Sequence, residues 1–435
     1  MSGTASPAGA GSRTGASGMA PAVIVVMLTL LLGIQPVTTD LYLPALPTLQ
    51  RDLGASVNAA QWTLAALVAC FGAAQLVWGP LADRHGRRPV LLAGLALYTA
   101  ASVLSAQAGS IVELVGWRAL QGAAMAAAVT CARSIVRDLF EPHEGARVMS
   151  RALTGLGVIA MASPVVGGLV VQWLHWRAAL LVLALFGAAT LALVALRFEE
   201  TVPQRNPQAT QLAPLVRNWI ALLANPTFRA WVALLCCSFG GLFFLLAGSS
   251  FVFIDVLGSS RVAYGVLLAS CSLAYVAGTW LCRRLLLKHG LRGAVRRGAW
   301  FSLAGGVGMA ALSLAGVYGV WAIIVPQWLY AIGHGIHQPC GQAGAVGPFP
   351  EKAGTAASVS GFLMMVTASS VGFWLGRHLN GTVFPVTLGI GAFSIVLALV
   401  GWTLVQRHGD AAPAARGRPS SATEAGARAG AAQEP

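Results

Sequence analysis

Charge is what this chain has least of. Only 10% of its 435 residues are Asp, Glu, Lys or Arg, while 56% are hydrophobic. A soluble domain carries about 25% charged residues, so this chain cannot cover a water-exposed surface of its size. Acids are the scarcer sign, with 14 Asp and Glu against 28 Lys and Arg. None of the seven cysteines (Cys70, Cys131, Cys236, Cys237, Cys271, Cys282 and Cys340) forms a CxxC pair, and all lie in or beside apolar runs. They read as small buried hydrophobes rather than metal or redox ligands. There is no GxxxxGK[ST] phosphate loop. A short-cored, basic, small-residue-cleaved leader is also missing, and the first apolar run is too long for one.

What is present is apolar surface that must face lipid. A spanning helix needs roughly 20 mostly apolar residues. The runs predict twelve spans, at 21–48, 58–79, 89–108, 111–132, 149–171, 177–196, 229–252, 262–281, 298–316, 320–346, 354–376 and 382–404. Their length and lack of alternation exclude an outer-membrane barrel. The Gly/Ala/Ser-rich 1–18 and the Gly/Ala/Pro/Arg-rich 405–435 are expected to be disordered cytoplasmic tails. Between them lie a first six-helix half (19–197), a polar linker (198–228, with Pro203, Pro207, Pro214 and Pro226) and a second half (229–404). Such a 6+6 division suggests two repeats with a site between them near the midplane. One pair of loops supports the repeat. Aligning Gly86 with Gly290 pairs Arg84 with Lys288, His85 with His289 and Arg88 with Arg292.

The basic residues fall at every second loop or helix end, and the alternate loops carry only Arg51, Arg177, Arg261 and Arg377. This positive-inside pattern places both termini in the cytoplasm of a multi-pass inner-membrane protein. Spread thinly along the loops, the +14 net charge does not point to nucleic acid.

Asp40 is the only acid in the first span. A carboxylate at low dielectric is costly when ionised, so it can take up a proton on one side of a membrane and release it on the other. The competing reading is a solvated residue at the membrane surface. The two differ in where the span ends: at Leu43, or beyond Asp40 at Leu49, with Pro44 and Pro47 tolerated in a cavity-lining helix. Arg118 lies about 10 Å into its span. It is expected either to bond and release Asp40, sharing a network with Gln121, or to hold backbone carbonyls of a neighbouring helix. His334 and His337, at i and i+3, could line a pocket or bond structurally. They lack a third ligand for a metal, so no metal is expected.

Several motifs resemble one family. Gly79-Pro80-Leu81-Ala82-Asp83-Arg84-His85-Gly86-Arg87-Arg88 is similar to the signature loop of the major facilitator superfamily. Arg118-Ala119-Leu120-Gln121-Gly122 resembles its Arg-Gln-Gly motif, and Gly155, Gly157, Pro164, Gly167 and Gly168 resemble the bend of its antiporter branch. Asp40-Leu41-Tyr42-Leu43-Pro44 and Ala132-Arg133-Ser134-Ile135-Val136-Arg137-Asp138 resemble the Bcr/CflA-type drug:proton antiporters.

The resemblance implies an all-α membrane fold of two six-helix halves and a monomeric, non-enzymatic secondary transporter. It would need no cofactor, be driven by the proton gradient, and export a small amphipathic drug or toxic metabolite through the bilayer. Asp40 and Arg118 would couple protons, one per cycle, since no second acid stands near Leu32. Read from the residues, and with the histidines of the tenth span a departure from the family, the cavity would be lined by Asp40, Gln61, Trp62, Phe71, Gln121, Phe253, His337 and Gln338. Gly79, Asp83, Arg84, Gly86, Arg87, Arg88 and Arg137 would form a gating latch, with Asp83 pairing Arg87, Arg88 or Arg137. Gly157, Pro164, Gly167 and Gly168 would let the fifth span bend. A metabolite uptake symporter is the alternative; an intramembrane enzyme or a receptor fits the motifs less well.

Overall fold

The computed structural model describes residues 19–202 and 205–410. The tail expected over 1–18 and most of that expected over 405–435 lie outside this range. Ten described helices are long and apolar enough to cross a membrane. One of them, α10 (Arg261–Leu314), is 54 residues long but broken at Gly290 (φ 64, ψ −175), which yields two limbs. A further 27-residue helix, α11 (Val320–Val346), carries Gln327, His334, His337, Gln338 and Gln342, which dilute its hydropathy. Counting both limbs of α10 and adding α11 brings the helices of spanning length to twelve.

The first half comprises α1 (Pro21–Asp40), α2 (Leu46–Asp52), α3 (Val57–His85), α4 (Arg87–Gln107), α5 (Ile111–Leu139), α6 (Pro142–Trp173) and α7 (Trp176–Arg197). A linker helix, α8 (Leu212–Ala224), precedes α9 (Pro226–Ser250). After α10 and α11 come α12 (Ala353–His378), α13 (Phe384–Trp402) and α14 (Leu404–His408). Helix starts are set locally. The side chains of Ser56, Ser110, Asn225 and Ser260 accept from backbone N–H groups in the first turns of α3, α5, α9 and α10. These caps satisfy donors that would otherwise be orphaned.

Two expectations are corrected. The linker is not only polar loop. Leu212, Val216, Ile220 and Leu223 recur at helical spacing and form one apolar stripe along α8. The expected disorder from 405 also starts too early. Gln406 Nε2 donates to the carbonyls of Arg292 (3.1 Å) and Gly401 (2.8 Å), while Arg292 Nη1 donates to the Gln406 carbonyl (2.9 Å). Those bonds hold α14 against the α10 corner.

The aligned corners match in conformation. Gly86 joins α3 to α4 at φ 104, and Gly290 joins the limbs of α10 at φ 64. Positive φ is readily adopted only by glycine, so the two loops share a backbone requirement as well as a sequence pattern. Across the halves, α3 packs on α12 and α6 packs on α10.

Candidate functional site

The first helix continues past Asp40. Pro44 lacks the N–H that would reach the Asp40 carbonyl, and Pro47 likewise fails Leu43. The chain therefore tightens into a 3-10 turn at Leu43–Ala45 and resumes as α2 to Asp52. The combined span is Pro21–Asp52, 32 residues, so Asp40 lies well within it. Its carboxylate accepts from Thr39 Oγ1 (2.7 Å) and forms no ion pair among the described residues. The side chain is half-buried. The turn just beyond it is where α9 and α10 of the second half touch the first helix.

Arg118 is fully buried in α5 and does not bond Asp40. Its Nη2 donates to the Thr38 carbonyl (3.1 Å) and its Nη1 to Gln121 Oε1 (2.5 Å). The guanidinium also lies 4.0 Å from the centroid of the Tyr42 ring. Gln121 Nε2 donates to Ser102 Oγ (2.5 Å), Thr38 Oγ1 bonds the Tyr98 hydroxyl (2.7 Å), and the Tyr42 hydroxyl bonds Thr63 Oγ1 (2.8 Å). Helical geometry explains the arrangement. Thr38 and Tyr42 are four residues apart and share a face, whereas Asp40 sits about 200° around the helix from Thr38. Arg118 therefore grips one side of α1 while Asp40 faces the other way. Matching the two residues by depth alone missed this angle, and with it the roles of Thr38, Tyr42, Tyr98 and Ser102.

The remaining cavity candidates divide. Gln61 is buried and donates through Nε2 to the Ala247 carbonyl of α9 (2.6 Å), a bond between the halves. Phe71 is buried, and Phe253 is buried against the Tyr264 ring. Trp62 is 42% exposed, edge-on to Phe373 of α12. Gln121 is enclosed with Arg118 instead of facing a cavity. His337 is fully buried toward Ser302 of α10 (3.4 Å), His334 bonds Ser238 of α9 (2.8 Å), and Gln338 is half-buried. The two imidazoles thus serve different helices.

In the α3–α4 corner, Asp83 pairs with Arg87 (2.7 Å) and not with Arg88 or Arg137. Arg87, only 4% exposed at its side chain, also bonds Asp138 (3.0 Å), whose other oxygen is 4.0 Å from Arg137. Glu200, which the sequence reading overlooked, accepts from the backbone N–H groups of Arg87 (2.8 Å) and Arg88 (3.2 Å). A carboxylate there complements the N-terminal end of α4. The same carboxylate lies where a side chain on Gly86 would project, so a side chain there would displace Glu200 as well as strain the backbone at φ 104. Arg84 donates to Thr210 of the linker (2.6 Å) and Arg88 to the Ala195 carbonyl (3.0 Å). Gly79 faces Thr130 and Ser358.

The α6 glycines do not act alike. Gly168 abuts the Arg261 carbonyl, and Gly265 of α10 in turn abuts the Pro164 carbonyl, so α6 and α10 meet backbone to backbone. Gly167 lies against the Leu41 carbonyl, whereas Gly157 faces open space. Nearby, the Val262 N–H donates to Gln172 Oε1 (3.3 Å), Arg261 Nε donates to Thr48 Oγ1 (3.2 Å), and Arg51 approaches Asp255 (3.8 Å). Among the described residues, the polar contacts between the halves all lie at this end, remote from the linker. The linker end instead holds a cavity of about 630 Å³, bounded by Gln75, Asp83, Arg133, Arg137, Trp219 and Ser358 among others. The body is closed at one end and cavitated at the other.

A sequence model described as the Major Facilitator Superfamily matches residues 28–373. The chain belongs to this superfamily. It is similar to multidrug resistance protein D of Escherichia coli strain K12, at 28% identity over 382 residues covering 88% of this chain and 94% of that protein. It is also similar to the chloramphenicol resistance protein of Pseudomonas aeruginosa, at 30% identity over 85% of this chain and 87% of that protein. The bicyclomycin resistance protein homolog of Haemophilus influenzae is 25% identical over 89% of this chain and 97% of that protein. The crystal structure of a D-xylose-proton symporter aligns at TM-score 0.69 and 17% identity, covering 90% of this chain and 99% of that one. At that identity the likeness shows the fold alone. The major facilitator fold accounts for the two halves, the crossed α3–α12 and α6–α10 contacts, and the multi-pass membrane character.

Proposed function

We propose that this superfamily member exports small amphipathic drugs or toxic compounds in exchange for protons, by alternating access. Asp40 is the group that exchanges proton for substrate. The observation that carries the reading is its placement: a half-buried, unpaired acid inside the first span, turned from Arg118, beside the turn where the halves meet. The names of the similar resistance proteins support the substrate class. The basic α3–α4 corner and linker favour a cytoplasmic linker end, with both termini cytoplasmic in an inner membrane. In that orientation the cavity faces the cytoplasm and the α6–α10 contact closes the outer side. Arg118 acts indirectly, holding the Thr38 carbonyl so that Asp40 keeps its place. Asp83 and Asp138 hold Arg87 at the corner that would move as the halves rock.

The test is pH-driven transport of a dye and drug panel in inverted vesicles, with Asp40→Asn alongside. Uptake into the vesicles, corresponding to export, should occur for the native chain and stop in the variant. Full pH-driven transport by Asp40→Asn would overturn the coupling role, and flux in the opposite direction would favour a symporter.

A further inference from the structure

A second cavity lies on the second half, away from Asp40. It is an open crevice of about 290 Å³ between α8, α9 and α12. Val232 and Cys236 line it from α9, Leu363 and Val366 from α12, and Leu223 of α8 stands at its linker end beside Arg229. Leu223 and Val366 are each 41% exposed, so the crevice opens on the surface of the bundle. Arg229 is exposed, and its guanidinium has no hydrogen bond or ion pair among the described residues. An apolar slot ending in one free guanidinium matches neither a folded-core gap nor a site for a small polar solute.

The adjoining helix carries a matching surface. On α8, Leu212 (74% exposed), Val216 (41%) and Ile220 (62%) continue the stripe that ends at Leu223, with Arg217 on its flank. Only Asn225 separates α8 from α9, and its side chain caps α9 by accepting from the backbone N–H groups of Thr227 (2.9 Å) and Phe228 (3.3 Å). The stripe is thereby held where α9 enters the bilayer. A basic-flanked apolar face at that level suits the boundary between headgroups and acyl chains. Basic pockets beside membrane helices suit anionic headgroups.

We propose that this crevice binds one anionic phospholipid of the leaflet at the linker end. An acyl chain lies between α9 and α12, the phosphate bonds Arg229, and the α8 stripe sinks into the same leaflet. Residues of α8 beside the stripe (Leu215, Asn218 and Trp219) line the linker-end cavity, and α12 packs on α3 across the halves. The lipid therefore ties the rim of the cavity to a helix that must move against its partner.

The test is native mass spectrometry of the full chain, purified from membranes containing phosphatidylglycerol and phosphatidylethanolamine. The native protein should retain phosphatidylglycerol in preference. Arg229→Gln should lower that retention by about tenfold, as expected for losing a charge-assisted bond, and Arg283→Gln, at an exposed arginine of α10 that does not line the crevice, should leave it unchanged. Val366→Trp, which fills the crevice, should reduce retention of both lipids. Because that variant could disturb packing, a benzophenone side chain placed at Ile220 gives an independent reading: light should yield phospholipid adducts. Native-level phosphatidylglycerol retention by Arg229→Gln, or cross-links at 220 to protein alone, would overturn the proposal.

Discussion

The backbone contact of α6 with α10 gives the most direct handle on how the two ends of the transporter are balanced. A Cβ on Gly168 would meet the Arg261 carbonyl and, at 3.1 Å, the Cα of Val262. These are main-chain atoms, so relief requires the helices to separate. Overpacking of this kind costs about 1–3 kcal/mol. The cost falls on the conformation with that end closed and is absent where α6 and α10 have parted. Gly168→Ala should therefore shift the ratio of the two conformations by roughly 5- to 150-fold, away from the one described here. Gly157 belongs to the same motif but faces open space, so Gly157→Ala is the matched control. The assay is the initial rate of maleimide labelling at Ser358→Cys, in the linker-end cavity, measured above the labelling of the native cysteines. The rate should fall with Gly168→Ala and hold with Gly157→Ala. Equal rates in the two backgrounds would refute the argument that this contact sets the balance.

Asp255→Asn removes Arg51–Asp255, the one ion pair between the halves among the described residues. Both side chains are well exposed, so the same labelling rate should change by less than a shift of about 1 kcal/mol would produce; a larger change would give the pair a role beyond its exposure. Arg118→Lys keeps the charge but cannot bond the Thr38 carbonyl and Gln121 in the same planar geometry. It should lower transport while leaving the chain folded, which vesicle flux and gel filtration together would check.

Much of the architecture was legible because membrane spans are written in long apolar runs. The span limits agree with the helices to within a few residues at many ends, and of the two endings the sequence left open for the first span, the structure takes the longer, which Leu43, Leu46 and Leu49 favour despite two prolines. The Gly86/Gly290 alignment held because both residues turn a corner at positive φ. What was not legible depended on angle rather than position. Asp40 and Arg118 match in depth, but their side chains lie on different sides of α1. Glu200 lies more than 110 residues from the N–H groups it caps, as the separations of its bonds to Arg87 (113) and Arg88 (112) record, and no local pattern announces it. The α8 stripe was present at i, i+4, i+8 and i+11, but the surrounding prolines and polar residues obscured it.

The separation of Asp40 from Arg118 has a consequence for stability that distinguishes it from direct pairing. Breaking a buried ion pair leaves the remaining charge without compensation and costs about 3–5 kcal/mol. A partial form of that situation holds at Asp138, only 10% exposed at its side chain and bonded to the nearly enclosed Arg87, which would keep only the half-exposed Asp83 as its counter-ion. It does not hold at Asp40, whose one hydrogen-bonded side-chain partner among the described residues is a neutral threonine hydroxyl. Arg118 bonds a carbonyl and an amide oxygen and lies against an aromatic face, with its Nε left unbonded; none of these partners is Asp40, so neutralising Asp40 removes no partner from a cation. Asp40→Asn should therefore unfold thermally within about 0.5 kcal/mol of the native chain, even as transport is lost, whereas Asp138→Asn should melt well below it. Thermal unfolding of both variants in one detergent measures the contrast. If Asp40→Asn lost as much stability as Asp138→Asn, Asp40 would have to be compensating a buried cation, and its freedom to trade a proton for substrate would no longer follow from its surroundings.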